Sequence, residues 1–167
     1  MRDLPRMTDT PFVSRLMAVE PQWIDYNGHL NMAFYNVLFD RGTDDAFEEL
    51  GLGPDYLAAS GNSFFTAESH VHYLRELREG ERVRVTFRIL DHDEKRIHAW
   101  QEMIHEDGWT SALSETMSLH VRLATDAQPA GVAPFPPDVR ERIGTMADGH
   151  ASLPRPERAG RVMGIRR

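Results

Sequence analysis

The chain changes its hydrophobic period once, and that change limits its fold more than any other feature. From Met32 to Leu50 the apolar positions Tyr35, Leu38, Phe39, Gly42, Ala46 and Leu50 recur at three- and four-residue steps. That is the stripe of a buried helix about five turns long. Asn31 stands where an N-cap belongs and Gly51 where a helix stop belongs. Gly42, in the middle, weakens a helix by about 1 kcal/mol relative to Ala, so its place there predicts close approach to another surface. Later the step becomes two. Val83, Val85, Phe87 and Ile89 face one way, and Arg82, Arg84, Thr86 and Arg88 the other; Met117, Leu119, Val121 and Leu123 alternate with Thr116, Ser118, His120 and Arg122. Residues 63–77, 81–91, 95–106 and 110–124 therefore read as strands. Turn signals at Glu79-Gly80, Asp91-His92-Asp93 and Asp107-Gly108 make them antiparallel hairpins. Residues 12–25 read as a first strand broken by Pro21, and residues 54–60 as a short helix. The expected class is α+β: an antiparallel sheet of about five strands wrapped around one long central helix.

The 167 residues suit one domain, spanning 1–167, with its core in about 12–124. Residues 125–167 read as a Pro-rich connector, a short peripheral helix over Pro137–Gly149, and a basic tail. With no Cys, a disulfide framework, a thiol nucleophile and a thiolate-bound zinc site are excluded. The net charge of −7 argues against nucleic-acid and anionic-membrane partners, which need basic surface. No apolar run approaches a membrane span and the start is polar, so the expectation is a cytoplasmic protein. The charge is uneven. Arg155, Arg158, Arg161, Arg166 and Arg167, against Glu157 alone, make the tail +4 and the rest −11. This tail reads as a solvated arm, with contact to an anionic ligand or a neighbouring subunit as the alternative. One helix cannot cover both faces and the edges of such a sheet, so a homodimer or a dimer of dimers is expected.

The chemistry concentrates before the helix, in Trp23-Ile24-Asp25-Tyr26-Asn27-Gly28-His29-Leu30-Asn31. This loop sets the Asp25 carboxylate beside a helix N-terminus, whose unpaired N–H groups and partial positive charge suit an anion or a developing oxyanion. It also reads as an ordinary capping loop, with Asn31 as the cap and Gly28 supplying a positive φ.

The residues Asp25, Gly28, His29, Asn31 and Tyr35 resemble the Asp-x-x-Gly-His-x-Asn-x-x-x-Tyr signature of hotdog-fold acyl-CoA thioesterases of the 4-hydroxybenzoyl-CoA thioesterase type. The element order is similar too, and HVHYLRELREGERVRV resembles that family's second block. PQWIDYNGHLN, FFTAESHVHYL and LPRPERAGRVMG are closer still to the thioesterase domain fused to some L-carnitine dehydrogenases, which is associated with betainyl-CoA hydrolysis. The resemblance implies a hotdog fold, an acyl-CoA substrate and no cofactor. It makes Asp25 the catalytic carboxylate and Met32 the residue whose backbone N–H polarises the thioester carbonyl. His29 and Asn31 accompany Asp25, holding the loop, orienting water or binding the thioester. Trp23 replaces the first Asp of many relatives' Asp-x-Asp, and Met32 replaces a usual Asn, which points to a different acyl pocket. A trimethylammonium group offers no hydrogen to donate, so its recognition falls to aromatic faces and negative charge. Trp23, Tyr26 and Phe34, with Gly28 and Tyr35 of the signature, are the expected substrate-binding set, with Glu68 reading either as a strand residue directed at the partner protomer's site or as an exposed strand Glu. Tyr73 and Trp100 are further candidates for an acyl pocket, and each of these rings also reads as ordinary core.

Other constellations are weaker. His70 and His72 share a strand face, but no third ligand stands at fixed spacing, so no metal is expected. There is no Gly-x-Ser-x-Gly elbow and no phosphate-binding glycine loop. The cations from Arg75 to Arg96 read as CoA-phosphate ligands or as a mixed solvated strand surface. Two further readings are a non-catalytic acyl-CoA or ligand-binding protein on this fold and a hotdog hydratase, whose His-centred motif is not found.

Overall fold

A computed structural model describes residues 10–165. The polar start through residue 9, and Arg166 and Arg167 of the basic tail, lie outside the described residues. In chain order the elements are β1 (Phe12–Val13), β2 (Met17–Ala18), a 3-10 turn (Pro21–Trp23), α1 (Met32–Glu49), α2 (Pro54–Ser60), β3 (Asn62–Tyr73), β4 (Arg82–His92), β5 (Arg96–His105), β6 (Thr110–Arg122), β7 (Gly131–Val132) and α3 (Pro137–His150). All strand pairings in the seven-stranded sheet are antiparallel, and the order is β1-β4-β5-β6-β3, with β2 also on β4 and β7 on β6.

The long helix forms where its stripe predicts. Asn31 caps it by accepting from the Ala33 N–H at 3.0 Å, and Tyr35, Leu38, Phe39, Gly42, Ala46 and Phe47 are its buried face. The α1 backbone comes down on β4 at Gly42: a Cβ there would lie 2.5 Å from Val85 Cβ, so only glycine fits. The inward residues Val83, Val85, Phe87 and Ile89 of β4 and Ile97, Ala99 and Met103 of β5 complete the core against this helix. At about 25 cal/mol per Å² of apolar surface, each of these side chains except the smaller Ala99 contributes roughly 1.5–3 kcal/mol.

Several expectations change. The strand expected over residues 12–25 divides into β1 and β2, both on β4, because the chain bends between them. The Ser14 hydroxyl accepts from Val85 N–H at 2.9 Å, and Arg15 turns outward to pair with Asp45. The helix expected to be peripheral is part of the core. Val139, Ile143 and Met146 are buried with Phe47, Phe87 and Ile97, and His150 Nδ1 accepts from Ile89 N–H at 3.1 Å. The core thus extends beyond residue 124, and Phe135 of the Pro-rich connector stacks on Phe64 with centroids 5.7 Å apart. The tail is anchored just before its start and at Gly160, while residues 161–165 are exposed as expected of a solvated arm. Arg88 donates to the carbonyls of Leu153 (2.6 Å) and Pro154 (2.7 Å), and Glu115 accepts from Gly160 N–H at 2.8 Å. Among the described residues no helix is long and apolar enough to cross a membrane.

Candidate active site

The loop before α1 is a closed miniature hairpin. Ile24 and Leu30 form an antiparallel bridge. Asp25 N–H donates to the His29 carbonyl at 2.9 Å and Gly28 N–H to the Asp25 carbonyl at 3.0 Å. Gly28 takes φ +79° with open space around it, so the demand for glycine there is conformational. Two further bonds fix the loop to its surroundings: Leu30 N–H to Leu77 O (2.7 Å) and Asn31 N–H to Trp23 O (2.9 Å). One carboxylate oxygen of Asp25 accepts from Asn27 N–H at 2.8 Å. Asp25 is held by backbone geometry at the mouth of the helix.

At the helix start the donors divide unequally. Ala33 N–H is taken by the Asn31 side chain and Phe34 N–H by the Asn31 carbonyl. Met32 N–H has no acceptor among the described residues. Asp25 and Met32 line one cleft of about 320 Å³, whose other walls include Tyr35, Tyr73, Arg75 and Glu76. A carboxylate and an unpaired helix N–H in one cleft combine a proton acceptor with a donor for a developing oxyanion.

The far wall comes from the end of β3. Tyr73 Oη donates to the Met32 carbonyl at 3.3 Å, and its ring meets Tyr35 edge-on with centroids 5.1 Å apart. Burial raises the pKa of both phenols, so both stay protonated in the neutral range; for Tyr35, Ser111 and the Leu77 backbone oppose the shift. Glu76 Oε1 lies 3.9 Å from His29 Nε2. The Arg75 guanidinium is stacked on Trp109, 3.9 Å from the ring centroid.

The expected residues separate into two groups. Asp25, Gly28, His29, Asn31, Met32 and Tyr35 are gathered around the helix start, although the Asn31 side chain is engaged as the cap. The expected aromatic set is not assembled. Trp23 is buried, stacked on Phe34 at 5.6 Å and covered by the Arg41 guanidinium at 5.0 Å, while Tyr26 is 98% exposed. Glu68, expected on the strand face of His70 and His72, lies there, on the outer face of the sheet. A bulge at Ala67 shifts the phase of β3, so Thr66, Ser69, Val71 and Tyr73 face the helix, while Glu68 and His70 share a cleft with His98, Glu115 and the tail. On that outer face His72 stays neutral to lower pH than usual. Burial is the main cause, with His70, Arg158 and Arg161 adding to it. Among the described residues no three His, Asp or Glu side chains converge as metal ligands. Glu76 is the wall residue that sequence spacing missed. It lies inside the second resembling block, which was its one available signal.

Comparison with known proteins identifies the family. The family model of the thioesterase-like superfamily matches residues 19–143. The betainyl-CoA thioesterase of Pseudomonas aeruginosa is 43% identical over 148 residues, covering 88% of this chain and 91% of that protein. An L-carnitine dehydrogenase/betainyl-CoA thioesterase of Rhizobium meliloti is 36% identical over 89% of this chain, which corresponds to 29% of that longer protein. A Staphylococcus aureus protein solved in complex with CoA superposes with a TM-score of 0.83 at 26% identity, over 96% of this chain and 98% of that one. The chain belongs to the thioesterase-like superfamily and is a hotdog-fold thioester hydrolase.

Proposed function

We propose that this chain is a betainyl-CoA thioesterase in which Asp25 acts on the thioester and Met32 N–H receives its carbonyl oxygen. The observation that carries the reading is their shared cleft: a carboxylate on a locked loop beside an unpaired N–H at the first turn of α1. The substrate rests on the 43% identity to the Pseudomonas aeruginosa enzyme over nearly its whole length. In the base route, water gives a proton to Asp25 as its oxygen bonds to the carbonyl carbon. The C–S bond then breaks and coenzyme A leaves as a thiolate, which the proton from Asp25 neutralises. In the nucleophile route, Asp25 itself displaces the thiolate and water cleaves the resulting anhydride. A thiol with a parent pKa of about 8.5 leaves without a strong general acid, which suits a site with one central carboxylate. His29, held near Glu76, orients the loop or the water.

The same reading includes a single domain working in the cytoplasm as a homodimer or dimer of dimers. It is supported by β3, which ends the sheet with residues 65–69 exposed and its outer edge unpaired among the described residues. Beside it, a cavity of about 320 Å³ between α1 and β3 is left uncovered by the helix. Light scattering at micromolar concentration is expected to give a multiple of 19.1 kDa; a stable, active monomer contradicts it. The functional test is thiol release from a panel of acyl-CoA esters. Betainyl-CoA is expected to give the highest kcat/KM. Binding without turnover of any thioester refutes catalysis and favours a binding protein.

A further inference from the structure

We infer that Tyr73 and Glu76 form the subsite that selects a cationic acyl group, in place of the Trp23 and Tyr26 that sequence proximity favours. This rests on the betainyl-CoA reading and deepens it.

The argument begins with reach. In a betainyl thioester one methylene separates the carbonyl carbon from the quaternary nitrogen, a span of roughly 2.5 Å at ordinary bond lengths. With the carbonyl oxygen at Met32 N–H, the cation must lie in the same cleft as Asp25. Trp23 is closed to it, being 5% exposed and covered by Phe34 and by a guanidinium of the wrong sign. Tyr26 does not line the cleft. The aromatic surfaces that do are Tyr35 and Tyr73. Tyr35 is 4% exposed and serves as a fixed floor, whereas Tyr73 is 45% exposed and retains open ring surface. Its ring is braced at two points, by Tyr35 edge-on and by the bond from its hydroxyl to the Met32 carbonyl. That leaves an aromatic wall fixed directly beside the carbonyl site, as cation–π recognition requires.

Charge points the same way. Besides Asp25, whose carboxylate is committed to the reaction, the cleft holds Glu76. Its one cationic wall residue, Arg75, is held on Trp109, which is not part of the cleft. Methylated nitrogen offers no hydrogen-bond donor, so a ring face together with a nearby carboxylate is the chemistry that recognises it.

The test compares kcat/KM for betainyl-CoA and 3,3-dimethylbutyryl-CoA, which has nearly the same shape without the charge. The wild type is expected to favour betainyl-CoA about ten-fold or more. Tyr73→Leu is expected to remove about ten-fold from betainyl-CoA while leaving the neutral ester within about three-fold, and Tyr73→Phe, which keeps the ring, to restore most of the preference. Glu76→Gln is expected to lower betainyl-CoA turnover several-fold, by less at high salt. Equal losses on both esters, or no loss on betainyl-CoA, overturn the subsite and leave the thioesterase standing. A wild type that cleaves neither ester, or cleaves both equally, overturns the betainyl-CoA reading and the subsite with it.

Discussion

Gly42→Ala is expected to destabilise the protein, although alanine is the better helix former. In an isolated helix the exchange gains about 1 kcal/mol. Here the added Cβ would sit 2.5 Å from Val85 Cβ, 2.6 Å from Cγ1 and 3.2 Å from Cγ2, where carbon atoms prefer about 3.5–4.0 Å. Helix and sheet must therefore separate by about 1 Å at their closest point. Val85 cannot relieve this by changing rotamer, because its Cβ is fixed to the β4 backbone, and β4 is paired with β5 through this stretch. Overpacking of this kind costs about 1–3 kcal/mol, and a clash with a β-carbon belongs at the upper end. After the propensity gain is deducted, the net loss is about 2 kcal/mol, or a Tm lower by about 4–8 °C for a domain of this size. Thermal and urea unfolding at one fixed protein concentration measure it. In a Val85→Ala background, which removes the two Cγ contacts, the same exchange is expected to cost less, with a coupling of about 1 kcal/mol. A Gly42→Ala variant more stable than wild type, or strictly additive effects, would refute the close-contact account.

His150 is buried at the end of α3, where burial first and Arg88 second hold its pKa below the ordinary 6.5. The folded protein thus keeps it neutral where the unfolded chain would bind a proton. Its stabilising contribution is full above pH 6.5 and is lost as pH falls from there through the folded-state value. Urea unfolding between pH 7.5 and 5 is expected to show this decline, and His150→Asn, whose amide oxygen can replace Nδ1, to flatten it; an unchanged slope contradicts the assignment. His120 has no exposed surface, donates through Nδ1 to the Ala133 carbonyl at 2.8 Å and accepts through Nε2 from Tyr56 Oη at 2.7 Å. Tyr56→Phe leaves that acceptor unpaired and is expected to cost about 1–3 kcal/mol by urea unfolding; a neutral result removes the bond from the account.

The sequence was most legible where local periodicity and a cap agree. Asn31, the stripe from Tyr35 to Ala46 and the alternation of β4 locate α1 and the inner sheet face within a residue or two. Gly42 disclosed a close contact before any partner was known. The misreadings have physical causes. The apolar positions Val139, Ile143 and Met146 already carried a helical stripe, but Pro-rich flanks made it look peripheral. The cleft was legible only in part: Tyr73 stood among the rings read as acyl-pocket candidates, but its bond to Met32 spans 41 residues, which no local pattern shows. Nearness in sequence favoured Trp23 and Tyr26, but one is sealed in the core and the other faces solvent.

The most direct test of the account is the turnover of Asp25→Asn. The amide keeps the shape of the carboxylate and can still accept from Asn27 N–H, but it can neither take a proton from water nor attack the carbonyl. Thiol release from betainyl-CoA is expected to show kcat lower by about 10²-fold or more, with Tm and oligomeric state unchanged. A folded Asp25→Asn variant that turns over betainyl-CoA at the wild-type rate would contradict the account at its centre.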